Sequence, residues 1–87
     1  MAITCSWVLY VLLCADGSYY TGTTTDIKRR LKEHNTSRRG AKYTKTRRPV
    51  EIIYTEKFPS RSSAQKAEYR FKQLTRKQKE KVINESR

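Results

Sequence analysis

The chain has 87 residues, 36% of them hydrophobic, and a formal net charge of +12 from 20 Lys plus Arg against 8 Asp plus Glu. That length suits one domain over residues 1–87 with one small core, burying only about 60–65% of the surface of the unfolded chain and tolerating unpaired polar groups badly. The charge favours a polyanion, nucleic acid before an anionic membrane surface, with a merely solvated basic surface as the plain alternative.

Trp7 to Cys14 is a nearly continuous apolar run. It reads as a central strand buried on both faces and is far too short to span a bilayer. No basic stretch precedes it and no small-residue cleavage site follows, so a cytoplasmic setting is expected, with no membrane. Cys5 and Cys14 lack metal-ligand spacing and have one His for company, so zinc is not expected. Cys14 reads as a small buried hydrophobe, and nothing in the sequence requires a Cys5–Cys14 disulfide. Ala15-Asp16-Gly17-Ser18 is a turn leading into a second, antiparallel strand, Tyr19 to Thr23. A two-residue Asp-Gly turn would place Tyr10 and Tyr20 on opposite faces. A three-residue loop with Gly17 left-handed makes them diagonal neighbours on one face, and this is the loop expected.

Thr25 or Asp26 caps a helix from Ile27 to Asn35. Arg30 and His34 flank Leu31 on its apolar face and point toward the sheet. Thr36 to Pro49 reads as a basic loop suited to phosphate contacts. Val50 to Lys57 is a third strand, with Ile52 and Tyr54 on one side and Ile53 on the other. Ser62 with Gln65, and Thr75 with Gln78, form capping-box patterns opening two further helices. The order is β-β-α-β-α-α, an α+β domain with a three-stranded antiparallel sheet flanked by helices.

Five polar residues stand where the local pattern asks for apolar ones: Tyr10, Tyr20, Arg30, His34 and Glu68. Glu68 interrupts the stripe Ala64, Ala67, Phe71, Leu74, where burying a carboxylate is costly unless Arg30 or a divalent metal neutralises it. Arg30 could clamp a phosphate oxygen, and His34 could hold a nucleophile or donate to a leaving group. Each also has an ordinary reading. Glu68–Arg30 would be a structural pair, His34 a satisfied histidine at a helix C-terminus, and the tyrosines core residues. A phenol titrates near 10 and is a poor base at neutral pH, but neighbouring cations favour phenolate. Gly22 permits close backbone approach on this face, or marks a bulge.

Taken together, Tyr10, Tyr20-Thr21-Gly22, Arg30-x-x-x-His34 and Glu68 resemble the GIY-YIG nuclease superfamily, in particular its small stand-alone bacterial branch of uncharacterised endonucleases. Gly40-Ala41-Lys42-Tyr43-Thr44 and Arg47-Arg48-Pro49-Val50 are similar to that branch as well, and the resemblance covers about residues 7 to 83. It implies a phosphodiesterase using one divalent cation, Mg²⁺ or Mn²⁺, in the bacterial cytosol or nucleoid. Tyr10 would be the general base or water-positioning group, with Tyr20 hydrogen-bonded at the same centre. Arg30 would stabilise the scissile phosphate, His34 would fill the helix position four residues on, and Glu68 would ligate the metal. The first motif here reads Val8-Leu9-Tyr10, so only its tyrosine survives, and Thr21 replaces an Ile in the second.

These residues suggest an endonuclease acting on DNA through phosphates and shape, with repair or recombination as the inferred setting. Lys28, Arg29, Arg38, Arg39, Lys42, Lys45, Arg47 and Arg48 are the expected nucleic-acid contacts. No helix-turn-helix or zinc-finger pattern is present to read base edges. RNA stays open as the target, and a protein partner or homodimer could deliver substrate or a second cut. The rival from another class is a non-catalytic basic nucleic-acid-binding module. Glu68 argues against it, because a carboxylate beside a phosphate repels.

Overall fold

A computed structural model describes residues 6–36 and 42–85. Cys5, Arg38 and Arg39 lie outside them. The elements are β1 (Trp7–Leu13), β2 (Tyr19–Thr24), α1 (Ile27–Thr36), α2 (Lys42–Lys45), β3 (Glu51–Phe58), α3 (Arg61–Lys72) and α4 (Arg76–Glu85). The sheet runs β2-β1-β3, antiparallel throughout, so the apolar run is the central strand as expected. Among the described residues no helix is long and apolar enough to cross a membrane.

Alternation along β1 builds a core on each face of the sheet. Leu9 and Val11 pack with Phe71 and Ile83 under α3 and α4. Tyr10, Leu12 and Cys14 pack with Val50, Ile27 and Leu31, under α1. Cys14 is a free, buried thiol.

The hairpin uses the three-residue loop. Gly17 N–H donates to Cys14 O, Cys14 N–H donates to Ser18 O, and Gly17 has φ +86°, a left-handed conformation that glycine adopts without steric cost. The register pairs Tyr10 with Gly22 and Leu12 with Tyr20, which leaves the two tyrosines diagonal on one face.

Three expectations need correction. Tyr54 does not share a face with Ile52. The register slips between Val11 and Leu12, pairing Val11 with Tyr54 and Leu12 with Ile52, so Ile53 is the extra residue of a bulge. Tyr54 turns to the opposite face and stacks on Phe71, ring centroids 6.2 Å apart. The capping box of α3 is Ser60 with Ser63, not Ser62 with Gln65. Ser60 is extended, its Oγ accepts from Ser63 N–H, and its own backbone N–H donates to Ser63 Oγ. Three serines within four residues offer alternative registers, and the one beside Pro59 is used. The basic loop, finally, contains the short helix α2. The remaining caps agree: Asp26 Oδ1 accepts from Arg29 N–H at 3.0 Å, and Thr75 and Gln78 bond reciprocally.

Candidate active site

Neighbouring strands and α1 bring four of the five predicted residues together. Tyr10 projects from β1 toward α1, where its Oη lies 2.8 Å from His34 Nε2. Arg30, one turn before His34, places its cation beside the same phenol. Tyr20 closes the group from β2, its ring centroid 6.4 Å from Tyr10 and 5.1 Å from His34. The α1 spacing that predicted Arg30 and His34 facing the sheet therefore holds.

Glu68 stands on α3, near enough for its charge to act on the Tyr10 phenol. Its ion pair is to Lys72, one turn along the same helix, at 2.8 Å. Arg30 instead pairs with Glu33 at 2.9 Å. The structural Glu68–Arg30 pair weighed from the sequence is thus replaced by two local i,i+3 and i,i+4 pairs. Among the described residues no group of three or more His, Cys, Asp or Glu side chains is placed to hold a metal.

The two tyrosines are not equivalent. Tyr10 is 1% exposed and His34 fully buried. Tyr20 is half-buried, and the side chains of Arg30 and Glu68 are 24% and 21% exposed. Tyr20 and Arg30 therefore form the rim that solvent reaches, Glu68 on α3 is likewise partly exposed, and Tyr10 with His34 forms the floor. Gly22 explains how the floor fits. A Cβ there would meet Tyr10 Oη at 2.6 Å and Cζ at 2.8 Å, so the ring lies directly over the Gly22 backbone.

Burial governs the titrations. The Tyr10 phenol is pushed up to about 12, mainly by burial, against the opposing hydrogen bond from Arg30. With Arg30 as the neighbouring cation, burial outweighs the charge and Tyr10 stays a phenol. His34 is pushed down to about 4 by burial first and by the Arg30 cation second, with Arg48 adding to it and Glu33 opposing. At neutral pH the floor holds a phenol and a neutral imidazole.

The predicted nucleic-acid contacts divide. Lys28, Arg29 and Lys45 are exposed. Arg47 donates to Asp16 Oδ2 at 2.9 Å and lies 4.0 Å over the Tyr43 ring, which in turn stacks on Tyr20. Arg48 donates to the carbonyls of His34 and Glu33 and so closes the C-terminus of α1. Lys42 opens α2.

Sequence reasoning missed Thr44, which is fully buried with Oγ1 2.9 Å from His34 Nδ1. A four-residue helix has no period to reveal an inward face, so no local signal marked it. Asn35 was also missed. Its side-chain amide pairs with both backbone groups of Val50, tying the end of α1 to β3.

A family model described as the GIY-YIG catalytic domain matches residues 6–81. The chain is 55% identical to a UPF0213 protein of Bacillus velezensis, over 97% of this chain and 84% of that one. Two solution NMR structures are similar to it. One is a protein from E. faecalis, 55% identical with TM-score 0.65, covering 97% of this chain and 88% of that one. The other is a UPF0213 protein from Bacillus halodurans, 46% identical with TM-score 0.59, covering 91% and 83%.

Proposed function

Because the chain belongs to the GIY-YIG catalytic-domain family, a family of nucleases, we propose that it is an endonuclease hydrolysing phosphodiester bonds of DNA with the aid of one divalent cation. The observation that carries this reading is the grouping of Tyr20, Arg30 and His34 around the Tyr10 phenol, with Lys28, Arg29 and Lys45 exposed on α1 and α2.

Arg30 is the phosphate-binding group. Its planar guanidinium meets charge on the non-bridging oxygens as the phosphorus becomes crowded. Tyr20, the accessible tyrosine, holds the attacking water through its hydroxyl, and the water's proton leaves to solvent. The water oxygen bonds to phosphorus, the bridging P–O bond breaks, and the departing alkoxide takes a proton from solvent. Tyr10 and His34 lie behind, and orient Arg30 from the floor.

Glu68 fits a magnesium-like ion. It is a single, partly exposed carboxylate whose one ion pair, to an exposed Lys72 ammonium, is easily exchanged. Mg²⁺ and Mn²⁺ suit one carboxylate completed by waters and substrate phosphate oxygens. When bound, such an ion supplies Lewis-acid charge at the scissile phosphate.

Selection would operate through phosphates and duplex shape, and binding should weaken steeply with salt. Preference for branched or flap DNA would place the enzyme in repair or recombination. Cutting both strands would take two copies, read as plasmid linearisation rising with the square of protein concentration.

The test is cleavage of supercoiled plasmid and of labelled branched, flap and single-stranded DNA with Mg²⁺ or Mn²⁺, using the native chain, Glu68→Ala and Arg30→Ala. Metal-dependent nicking lost in both variants, with binding kept in at least one, supports the nuclease. Binding by all three without cleavage, or equal cleavage by all three, sinks it and leaves a basic binding module.

A further inference from the structure

Behind the rim, Tyr10, His34 and Thr44 form a line closed to solvent, exposed by 1%, 0% and 0%. The links are 2.8 Å from Tyr10 Oη to His34 Nε2 and 2.9 Å from His34 Nδ1 to Thr44 Oγ1. Arg30 joins at the Tyr10 end.

Chemistry sets the direction of each bond. A guanidinium has no acceptor, so the Arg30 cation beside Tyr10 faces the phenol oxygen and not its hydrogen. The phenol hydrogen then needs an acceptor of its own, because a buried unpaired donor is costly. Nε2 is the acceptor at hand. A neutral imidazole that accepts at Nε2 carries its hydrogen on Nδ1, where the Thr44 oxygen accepts it. The reverse arrangement aims Nε2–H and Arg30 at one phenol oxygen and strands the phenol hydrogen inside the protein. Burial and the Arg30 cation both keep the imidazole neutral, so the choice is between these two tautomers.

We infer that Thr44 is a positioning residue: by accepting from His34 Nδ1–H it directs the Nε2 lone pair at the Tyr10 hydroxyl and so turns the phenol oxygen toward Arg30. Thr44 touches neither substrate nor the reacting atoms. It acts through His34 and Tyr10 on the guanidinium that meets the phosphate. A threonine that only filled space would be replaced by valine without consequence, since the two have nearly the same shape.

The consequence for rate rests on the nuclease reading above, whereas the tautomer can be read in the resting protein. The experiment is ¹⁵N NMR of His34 in the native chain, Thr44→Ser and Thr44→Val, beside single-turnover cleavage and DNA affinity. The native chain and Thr44→Ser should show a protonated-type signal at Nδ1 and an unprotonated-type signal at Nε2. Thr44→Val should lose that pattern and cleave about tenfold or more slowly at unchanged affinity, with Thr44→Ser restoring most of the rate. An Nε2–H tautomer in the native chain, or an unchanged tautomer in Thr44→Val, overturns the inference. Should Thr44→Val fail to fold, the native and Thr44→Ser spectra still decide it. The expected tautomers with no cleavage by any of the proteins would support the positioning role and refute the nuclease instead.

Discussion

Gly22→Ala should destabilise this protein although it adds only one methyl group to the sheet. In a strand, replacing Gly by Ala is ordinarily favourable, since Gly packs nothing and loses more entropy on folding. Here the added Cβ would lie 2.6 Å from Tyr10 Oη, 2.8 Å from Cζ and 3.2 Å from Cε2. Three close atoms of one rigid ring cannot all be relieved by a small rotation. The ring is 1% exposed and held by the 2.8 Å bond to His34, so it must leave its place. Overpacking of this kind costs about 1–3 kcal/mol. Breaking the bond and leaving His34 Nε2 unpaired adds about 1–3 kcal/mol. The sum, about 2–6 kcal/mol, corresponds to at least about 8 °C in Tm for a domain this small. Thermal and urea unfolding of Gly22→Ala should be compared with the same substitution in a Tyr10→Val background, where the obstructing ring is gone. There the alanine should cost nothing or stabilise. A Gly22→Ala protein within about 0.5 kcal/mol of the native chain, or an equal cost in both backgrounds, would show that Tyr10 does not occupy this space.

His34 is the only histidine, so its titration can be isolated. Its folded pKa of about 4 lies below the unfolded value near 6.5, so the unfolded chain binds the extra proton between them. Its contribution to stability is therefore complete above about pH 6.5 and is lost as pH falls toward 4, by at most about 1.4 kcal/mol per pH unit. Urea midpoints at pH 7 and pH 5 should show this fall, and His34→Gln should flatten it; a slope that survives the substitution refutes the assignment. Glu68→Gln should lower cleavage about 100-fold while leaving Tm nearly unchanged, because the Lys72 pair is half exposed and such pairs contribute little. A large loss of stability would mean that the carboxylate is structural. Arg48→Ala should cost about 1–3 kcal/mol by removing donors from the carbonyls of His34 and Glu33. Lys28→Ala and Arg29→Ala should spare stability and each reduce the salt slope of DNA binding by about one. Equal effects from these three substitutions would erase the distinction drawn between anchoring and phosphate-contacting cations.

The parts of the fold that follow from local chemistry were legible. Leu9 to Leu12 are buried on both faces because β1 is central, and the apolar run shows this directly. Gly17 allowed two hairpin loops, and the requirement that Tyr10 and Tyr20 share a face selected the three-residue loop that the structure has. The helical period placed Arg30 and His34 beside them. What failed depended on choices the sequence leaves degenerate. Ile52-Ile53-Tyr54 carries no mark of the bulge that sends Tyr54 to Phe71. Ser60, Ser62 and Ser63 can each begin a helix. Thr44 has no neighbours in sequence that share its inward direction, so only the tertiary contact reveals it. The Arg30–Glu33 pair was available from an i,i+3 spacing and was overlooked in favour of the more distant Glu68.

The ten-residue spacing of Tyr10, Tyr20 and Arg30 makes three equal candidates of residues that the fold then separates. Placing one tyrosine on the central strand and the other on an edge strand gives the same side chain two environments. Tyr10, between β2 and β3, is closed off and kept protonated, and its oxygen serves as a fixed point for Arg30 and His34. Tyr20, on the edge, keeps contact with solvent, and its outer side is covered by Tyr43, which carries Arg47 above it. Arg47 is anchored by Asp16, and its carbonyl accepts from Ala15 N–H, so the hairpin loop and α2 hold each other. The described part of the basic segment is thus fastened at three places: to the hairpin through Arg47, to α1 through Arg48 and to the floor through Thr44. That fastening bears on the chemistry. Phosphoryl transfer gains most from groups already in position, and a rim supported from behind by α2 loses less on substrate binding than a loop that must first be ordered.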